Sequence, residues 1–210
     1  FITTDLDDNQ ITAFHPGAME HSHQNRVADA SGVTLGIVAP DGRAGMLEHA
    51  AQFVAAGIPF IFDPGQGMPM FDGNDLRHFI GQATWVTVND YESQLMQERT
   101  GWSEAEIASH VQALIVTRGG EGSNIFTGGS RIDIPCAKPA QLLDPTGCGD
   151  AYRAGLLYGL MNGLDWDTTG RIASLIGAIK IEHAGTQNHR FTREEFSQRY
   201  AREFGSKLNW

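Results

Sequence analysis

A Gly-x-Gly turn formed by Gly147, Cys148 and Gly149 stands directly before an apolar run with helical spacing. The turn should therefore lie at the N-terminus of a helix, where backbone N–H groups have no intrahelical partner and the helix dipole is positive. Glycine lets the backbone approach a bound anion closely, since no Cβ stands in the way. The spacing predicts an anion hole formed by these three N–H groups.

Asp150 follows the turn and places a carboxylate beside the predicted anion hole. A carboxylate in this position can take a proton from a hydroxyl group while the N–H groups hold the phosphoryl group that the hydroxyl attacks. Acidic residues are also common in the first turn of a helix, where they do no chemistry. The spacing alone leaves both interpretations open.

Residues 144–155 resemble the C-terminal signature of the PfkB (ribokinase-like) carbohydrate and nucleoside kinases, D-T-x-G-A-G-D-A-F-x-x-G. This chain has Pro145 after the first Asp, Cys148 for the central Ala and Tyr152 for Phe, but keeps both glycines and the second Asp. A match over this many fixed positions is far more specific than a lone glycine-rich loop. The resemblance implies that Asp150 is the catalytic base of a kinase.

Asn89 and Glu92 follow a predicted strand and resemble the N-x-x-E motif of the same family. The resemblance implies that the Glu helps to hold a Mg²⁺-phosphate assembly, largely through water. This role suits Mg²⁺, which keeps several waters and needs only one or two carboxylates. Asn followed three residues later by Glu is also an N-terminal capping box, and that structural interpretation remains open.

Thr117, Gly119 and Gly122 resemble the family's T-x-G-x-x-G loop, which implies contact with the phosphates and ribose of a nucleotide. The same segment is typical of a hairpin turn, and the two interpretations are compatible. Asp63 resembles the start of the family's D-P-N strand end, which implies a position close to the phosphates. Gly65 replaces the usual Asn of that motif, a departure that weakens the case for a direct role of the loop.

His183 and Asn188 lie in a polar cluster that follows a long apolar helix. In the family this region borders the adenine of ATP, so the resemblance implies that both side chains contact the nucleotide. A capped helix end explains the same residues nearly as well.

Hydrophobic strands alternate with helices from Val33 onward, a pattern typical of a parallel sheet covered by helices on both faces. Ligands of such sheets bind beyond the carboxyl ends of the strands, where the motifs above begin. The resemblance implies a ribokinase-like three-layer α/β/α fold with a mostly parallel central sheet, in one domain over residues 1–210. Predicted strands are 33–38, 59–62, 84–88, 113–117, 123–127 and 132–134; predicted helices are 45–56, 73–82, 91–99, 104–110, 149–161, 167–183 and 192–204.

Gly155, Gly159 and Gly163 recur at every fourth position of the helix that follows the turn. Each glycine weakens an isolated helix by about 1 kcal/mol relative to Ala, so a stripe of them needs a structural reason. We expect this stripe to pack closely against the sheet or a neighbouring helix.

Two β-rich runs at residues 1–6 and 10–14 are separated by a turn-forming triplet and predict a hairpin. The resemblance implies that residues 1–14 are the last part of a small β lid that closes over the substrate, with Ile11 and Ala13 facing it. A plain edge hairpin is the alternative. Phe1 opens the chain without an initiator Met, and the family's N-terminal substrate motifs are absent from it, so we expect an N-terminally incomplete chain.

The chain has 210 residues, 41% of them apolar, and a formal net charge of −10. This charge argues against non-specific binding of nucleic acid or of an anionic membrane. The apolar runs are too short to span a bilayer, and we expect no secretory signal. Cys136 and Cys148 have no metal-binding spacing, which favours reduced thiols and a cytoplasmic location.

His21 and His23 form a His-x-His pair, which on a strand would place both imidazoles on one face and suit a metal ion. A polar connection is the alternative, because neither Cys nor a third His stands beside them in the favourable register. We assign no residue of the chain as a direct metal ligand.

The sequence of residues 1–19 looks specifically like that of bacterial PfkB-type adenosine kinases. The resemblance therefore implies transfer of the γ-phosphoryl group of Mg-ATP to the 5′-hydroxyl of adenosine, giving AMP. A ribokinase- or fructokinase-type sugar kinase is the alternative within the family, and a non-catalytic nucleotide-binding regulator is the alternative outside it. The implied cofactors are ATP and Mg²⁺, with a monovalent cation such as K⁺ in several members; we expect a monomer or a homodimer.

Overall fold

The computed structural model describes residues 2–4 and 10–208, with side chains from residue 13 onward. Short 3₁₀ turns at Gly17–Gln24, Val27–Asp29, Gly65–Met70 and Gly119–Glu121 join the longer elements. The strands are β1 Ile2–Thr4, β2 Gln10–Thr12, β3 Gly36–Val38, β4 Phe60–Phe62, β5 Trp85–Asn89, β6 Ala113–Thr117, β7 Ser123–Thr127 and β8 Ser130–Ile134. The α-helices are α1 Arg43–Ala56, α2 Gly73–Gln82, α3 Asp90–Thr100, α4 Glu104–Ser109, α5 Cys148–Met161, α6 Trp166–Ile181 and α7 Arg193–Phe204.

Six strands form the central sheet in the order β3-β4-β5-β6-β7-β8. The first four are parallel, and helices connect them. β7 and β8 then add in antiparallel register as a hairpin on β6. The predicted mostly parallel sheet is therefore confirmed, including the hairpin at its end.

Alternate residues of each strand face opposite layers of helices, as the two-residue period of a strand requires. Phe60 and Phe62 of β4 pack with α1 to α4, where Phe79 stacks on Phe62 with ring centroids 4.3 Å apart. Ile61, between them, belongs to the opposite cluster with Leu156 of α5. α7 packs outside α6 in a further cluster. The predicted three-layer α/β/α architecture is confirmed.

Reciprocal capping boxes open α2, α3, α4 and α7; in each, the first residue's side chain and a carboxylate three residues later both accept a backbone N–H. One of these boxes joins Asn89 and Glu92 at the start of α3. Gly57, Gly101 and Gly205 end α1, α3 and α7 in the left-handed conformation, which glycine adopts without a Cβ penalty. The boxes of α2, α4 and α7 begin at Asp72, Ser103 and Thr192.

Two of the three predicted stripe glycines lie at the contact between α5 and α6. A Cβ on Gly155 would collide with the backbone of Ala173, and one on Gly159 would collide with the side chain of Thr169. The prediction was wrong for Gly163, which lies beyond the end of α5 with φ +62°, where an added Cβ would meet nothing within 4 Å. The helix ends at Met161, so Gly163 serves the turn and not the packing.

The N-terminal segments pair as predicted, with Ile2–Thr4 antiparallel to Gln10–Thr12. Thr3 is the backbone partner of Ile11, whose side chain lies outside the described part of the structure. Ala13 follows β2 and is exposed.

His21 and His23 lie in the 3₁₀ turn Gly17–Gln24, with ring centroids 6.4 Å apart. The strand on which the metal-binding interpretation of this pair depended is therefore absent. The predicted strand 33–38 starts only at Gly36, because its neighbour β4 offers pairing partners from Phe60 onward. Within the described ranges, no helix combines the length and the apolar character that crossing a membrane requires.

Candidate active site

Asp150 lies in the first turn of α5, which begins after Gly147 in the left-handed conformation, φ +84°. Its side chain is 83% exposed, and its Oδ1 lies 3.5 Å from Nη1 of Arg153 on the next turn of the helix. A carboxylate so placed is accessible to a ligand, as a group that accepts a proton from a bound hydroxyl must be.

The three predicted N–H groups of the anion hole differ in their surroundings. The Cys148 N–H donates to the carbonyl oxygen of Pro145 at 3.1 Å, so it already has a partner in the turn. Gly147 lies against Thr186, and a Cβ on Gly149 would stand 2.6 Å from Nη1 of Arg153. The missing Cβ of Gly149 thus makes room for a guanidinium beside the helix N-terminus, which adds positive charge to the predicted anion site.

Arg153 is the residue of this site that the motifs did not reveal. Its guanidinium forms an ion pair with Asp63 at the end of β4, including a hydrogen bond from Nη2 to Oδ1 at 2.8 Å. It therefore joins the strand end to the turn of Asp150. The available sequence signal was the spacing of three residues from Asp150, which places both side chains on one face of a helix.

Asp63 is almost completely buried, with 1% of its side chain exposed. Burial raises the pKa of its carboxyl to about 6, while the charge and hydrogen bonds of Arg153 act in the opposite direction. The negative charges of Glu92 and Asp150 also raise this pKa, more weakly. Three carboxylates thus meet in one electrostatic environment, which a guanidinium partly neutralises.

Glu92 and Asn89 form the capping box of α3. The Glu92 Oε2 accepts the Asn89 N–H at 2.8 Å, and the Asn89 Oδ1 accepts the Glu92 N–H at 2.7 Å. The structural interpretation of this motif is confirmed, and it fixes the half-buried Glu92 carboxylate on the side of the sheet where Asp63 lies. Capping and a role in metal binding through water are compatible, because an outer carboxylate does not have to touch the metal.

A cavity of about 860 Å³ opens beside the N-terminus of α5. Its size is within the range of small-molecule and cofactor sites. Thr117, Gly119, Gly122, Cys148 and Gly149 line it, so it joins the β6–β7 turn to the predicted anion hole. Segment 136–142 and α6 supply further wall residues: Cys136, Ala137, Lys138, Pro139, Leu142, Ser174, Gly177, Ala178 and Ile181.

His183 and Asn188 lie outside the lining of this cavity and make local hydrogen bonds at and beyond the end of α6. The His183 Nδ1 lies 2.9 Å from the carbonyl oxygen of Ile179, and the Asn188 amide donates to the carbonyl oxygen of Ala184 at 2.8 Å. These contacts favour the structural interpretation of both residues in this conformation.

Tyr152, which departs from the Phe of the family signature, also lines the cavity. Its hydroxyl lies 2.6 Å from the hydroxyl of Ser123. Burial raises the pKa of Tyr152 to about 12, so the group stays neutral and retains a proton for this hydrogen bond. Tyr is therefore accommodated because Ser123 supplies the polar partner that a buried hydroxyl needs.

Cys136 and Cys148 are free thiols that line the same cavity. Burial raises the pKa of both, which keeps them in the weakly nucleophilic thiol form. The prediction of unpaired thiols is confirmed.

The residues fit a nucleotide and a Mg²⁺ ion held through water. The cavity is large enough for a nucleotide and leads to a helix N-terminus where phosphates bind readily. Among the described residues no group of three or more His, Cys, Asp and Glu side chains is placed to enclose a metal ion. Mg²⁺ bound mainly to phosphates and water needs no such group.

Comparison of the sequence with known proteins identifies a kinase family and related nucleoside kinases. The sequence model of the pfkB family of carbohydrate kinases matches residues 1–192. A nucleoside kinase of Methanocaldococcus jannaschii is 31% identical over 189 residues, which are 90% of this chain and 62% of that protein. The chain thus spans a little under two thirds of that relative's length.

Solved structures agree with the sequence comparison. A nucleoside kinase of Burkholderia thailandensis in complex with inosine is 55% identical, with a TM-score of 0.94 over 98% of this chain and 68% of that one. The same kinase is known in complex with ADP-inosine. A ribokinase of Thermotoga maritima, at 19% identity, has a TM-score of 0.74 over 95% of this chain, which shows that the fold is shared.

Proposed function

This chain belongs to the pfkB family of carbohydrate kinases, and we propose that it carries the phosphoryl-transfer site of an ATP-dependent nucleoside kinase. The observation that carries this proposal is the exposed Asp150 carboxylate, in the first turn of α5 beside a nucleotide-sized cavity. A carboxylate at a helix N-terminus is counterproductive in a simple anion-binding site, but it is useful where a hydroxyl must lose a proton as it attacks a phosphoryl group.

Each residue near Asp150 has a role in the proposed reaction. Asp150 accepts the proton of the attacking hydroxyl. The N–H groups of Gly147 and Gly149 would hydrogen-bond to the oxygens of the transferred phosphoryl group, whereas the Cys148 N–H, which donates to Pro145 here, would have to exchange that partner for the phosphoryl group. Positive charge of the helix N-terminus and of the nearby guanidinium stabilises the negative charge on that group.

The remaining predicted residues hold the nucleotide and its metal. Thr117, Gly119 and Gly122 would contact the phosphates and ribose from the β6–β7 turn, where they line the cavity. A Mg²⁺ ion held through water by Glu92 would neutralise charge on the phosphates. Asp63 keeps a supporting role, because its carboxylate is buried against Arg153.

We propose a purine nucleoside as the acceptor, phosphorylated at its 5′-hydroxyl. Adenosine is the first candidate, on the resemblance of residues 1–19 to bacterial adenosine kinases. Inosine is the second, because a structurally similar kinase at 55% identity binds it. A base-recognising lid formed by the hairpin of β1 and β2 would suit either purine.

The deciding experiment offers the purified full-length protein adenosine, inosine, ribose and fructose separately with Mg-ATP, and measures kcat/KM from the acceptor-dependent formation of ADP. We expect at least one purine nucleoside to exceed both sugars by about tenfold or more, since the base supplies binding energy that a sugar lacks. A sugar used as well as the nucleosides would overturn the assignment of the acceptor. ATP binding without transfer to any of the four would instead support the non-catalytic regulator.

A further inference from the structure

Lys180, in the last turn of α6, is completely buried, which is rare for a lysine. Its Nζ donates hydrogen bonds to the carbonyl oxygen of Asp144 at 2.7 Å and to that of His183 at 3.2 Å. The Oδ2 atom of Asp144 lies 4.0 Å away. Burying a charge is costly unless it is compensated, and here three oxygen atoms from two segments surround the ammonium.

The oxygens that Lys180 binds belong to the segment that leads into the predicted anion hole. Asp144 stands three residues before Gly147. Its carboxylate accepts the N–H of Thr146 at 2.9 Å and that of Gly185 at 2.7 Å. These hydrogen bonds hold the pKa of Asp144 down at about 2, so the carboxylate is ionised at neutral pH.

The same segment is bound to the end of α6 through the backbone. The N–H groups of Leu143 and Asp144 donate to the carbonyl oxygen of Ile181 at 2.9 Å and 3.1 Å. Beyond the helix, Thr186 packs against Gly147. The ammonium therefore lies where the loop 143–147 and the end of α6 meet, directly behind the turn that would face a phosphate.

We propose that Lys180 is a positioning residue whose ammonium acts as a built-in monovalent cation. By binding the Asp144 and His183 carbonyl oxygens, it holds loop 143–147 in the conformation that directs the N–H groups of the anion hole toward the ligand. This inference rests on the proposed function, because it concerns the same phosphoryl site. Carbonyl and carboxylate oxygens are also the ligands of a bound alkali cation, so the site has the chemistry that a potassium or ammonium ion would satisfy.

The test is Lys180→Met, which is one atom shorter and leaves a gap of about the size of an ammonium ion. Phosphoryl transfer is measured in the chlorides of choline, potassium and ammonium at equal ionic strength. In choline we expect kcat to fall by about 10²-fold with the KM for the nucleoside changed less than about threefold, because in the proposed site the loop positions the N–H groups that bind the transferred phosphoryl group. Ammonium or potassium should restore kcat at least fivefold, whereas the unsubstituted protein should respond equally to all three salts.

Ile179→Ala is the matched control, since Ile179 is the buried neighbour of Lys180 on α6. That variant loses packing without losing a charge, so its rate should not depend on which salt is present. A loss in Lys180→Met that no small cation restores, or an equal salt response in the control, would reduce Lys180 to a structural residue and overturn the proposal.

Two further measurements keep the inference separate from the kinase assignment. Thermal unfolding of Lys180→Met, and of Lys180→Gln in case the Met variant does not fold, is followed in the three salts. Under the proposal the midpoint rises in ammonium or potassium relative to choline for the variant alone. If the unsubstituted protein transfers no phosphate, the kinase assignment fails; a cation-specific rise in the variant still supports Lys180 as a built-in cation, and its absence removes that role.

Discussion

Asp150 illustrates how little a single residue explains without its surroundings. The same carboxylate would be an ordinary helix starter if the turn before it were closed and the cavity beside it filled. Here it is 83% exposed and within 3.5 Å of a guanidinium. Its proposed role as a base therefore depends on where the carboxylate lies and on its exposure to a ligand. Replacing one carboxylate oxygen by an amide nitrogen tests that role.

We expect Asp150→Asn to lower kcat by roughly 10²–10⁴-fold, the usual effect of removing a general base. The amide keeps the shape of the side chain but cannot accept the proton of the attacking hydroxyl. ATP affinity, measured by calorimetry, should change little. Near-normal turnover in this variant would remove Asp150 from the mechanism.

Glu92→Gln should raise the Mg²⁺ concentration needed for half the maximal rate, because the outer shell of the metal loses a negative charge. The amide oxygen can still accept the Asn89 N–H, so the capping box and the thermal stability should be largely preserved. Glu106→Gln, the same position in the capping box of α4, is the control and should leave the Mg²⁺ dependence unchanged. A loss of stability with unaltered Mg²⁺ dependence would limit Glu92 to capping.

At the scale of elements, the contact between α5 and α6 is the first to test. Gly155→Ala should destabilise the fold by about 1–3 kcal/mol, because the new methyl group has no room against the backbone of Ala173. Gly81→Ala is the matched control: Gly81 is also helical, and open space surrounds it. The control should be neutral or stabilised by up to about 1 kcal/mol. The free energy of unfolding of both variants is measured in urea. Equal losses of stability in the two would contradict the packing argument.

The hairpin of β1 and β2 is the element whose role is most open to test. If it closes over the purine, Ala13→Asp should lower kcat/KM for adenosine at least about 10²-fold, because a carboxylate against the base is desolvated without a partner. The KM for ATP should stay within about threefold, since the phosphate site is around α5. Ala51→Asp, on the exposed side of α1, controls for added charge. A change of less than threefold for both substrates would mark a plain edge hairpin.

On the scale of the whole molecule, the alternation of apolar strands and helices was enough to predict the three layers. It works because each strand of a covered parallel sheet is apolar on both faces, as in Phe60, Ile61 and Phe62. The ends of strands were less well predicted where pairing with a neighbouring strand, and not composition, decides them, as at Gly36.

The candidate site was only partly predictable, because contacts between distant parts of the chain also decide which residues belong to it. Residues within one motif, such as Asp150, carry a local signal. Arg153 and Lys180 gain their significance from partners that are far away in sequence, Asp63 and Asp144. Segment 136–142 carries no motif and becomes a cavity wall only when α6 packs beside it.

The buried pair of Asp63 and Arg153 makes a prediction about pH. The pKa of Asp63 is about 6 in the folded protein and 3.8 when unfolded, so the folded state holds the proton more tightly. Asp63 therefore contributes most to stability below pH 4, and this contribution is lost as pH rises through 6. The difference in unfolding free energy between the protein and Asp63→Asn should fall by up to about 3 kcal/mol from pH 4 to pH 7. A constant difference would mean that Arg153 keeps Asp63 ionised throughout.

The pair also has a consequence for the order in which the molecule assembles. Asp63 and Arg153 are 90 positions apart, and nothing local brings them together. Closing so long a loop is a late and entropically costly event in folding, which the docking of α5 and α6 on the sheet must drive. Any local opening that detaches those two helices would separate the guanidinium from the strand end while the layer of α1 to α4 stays intact. Heat or denaturant should then abolish catalysis before the bulk of the β-sheet melts, so that loss of activity is an early sign of unfolding.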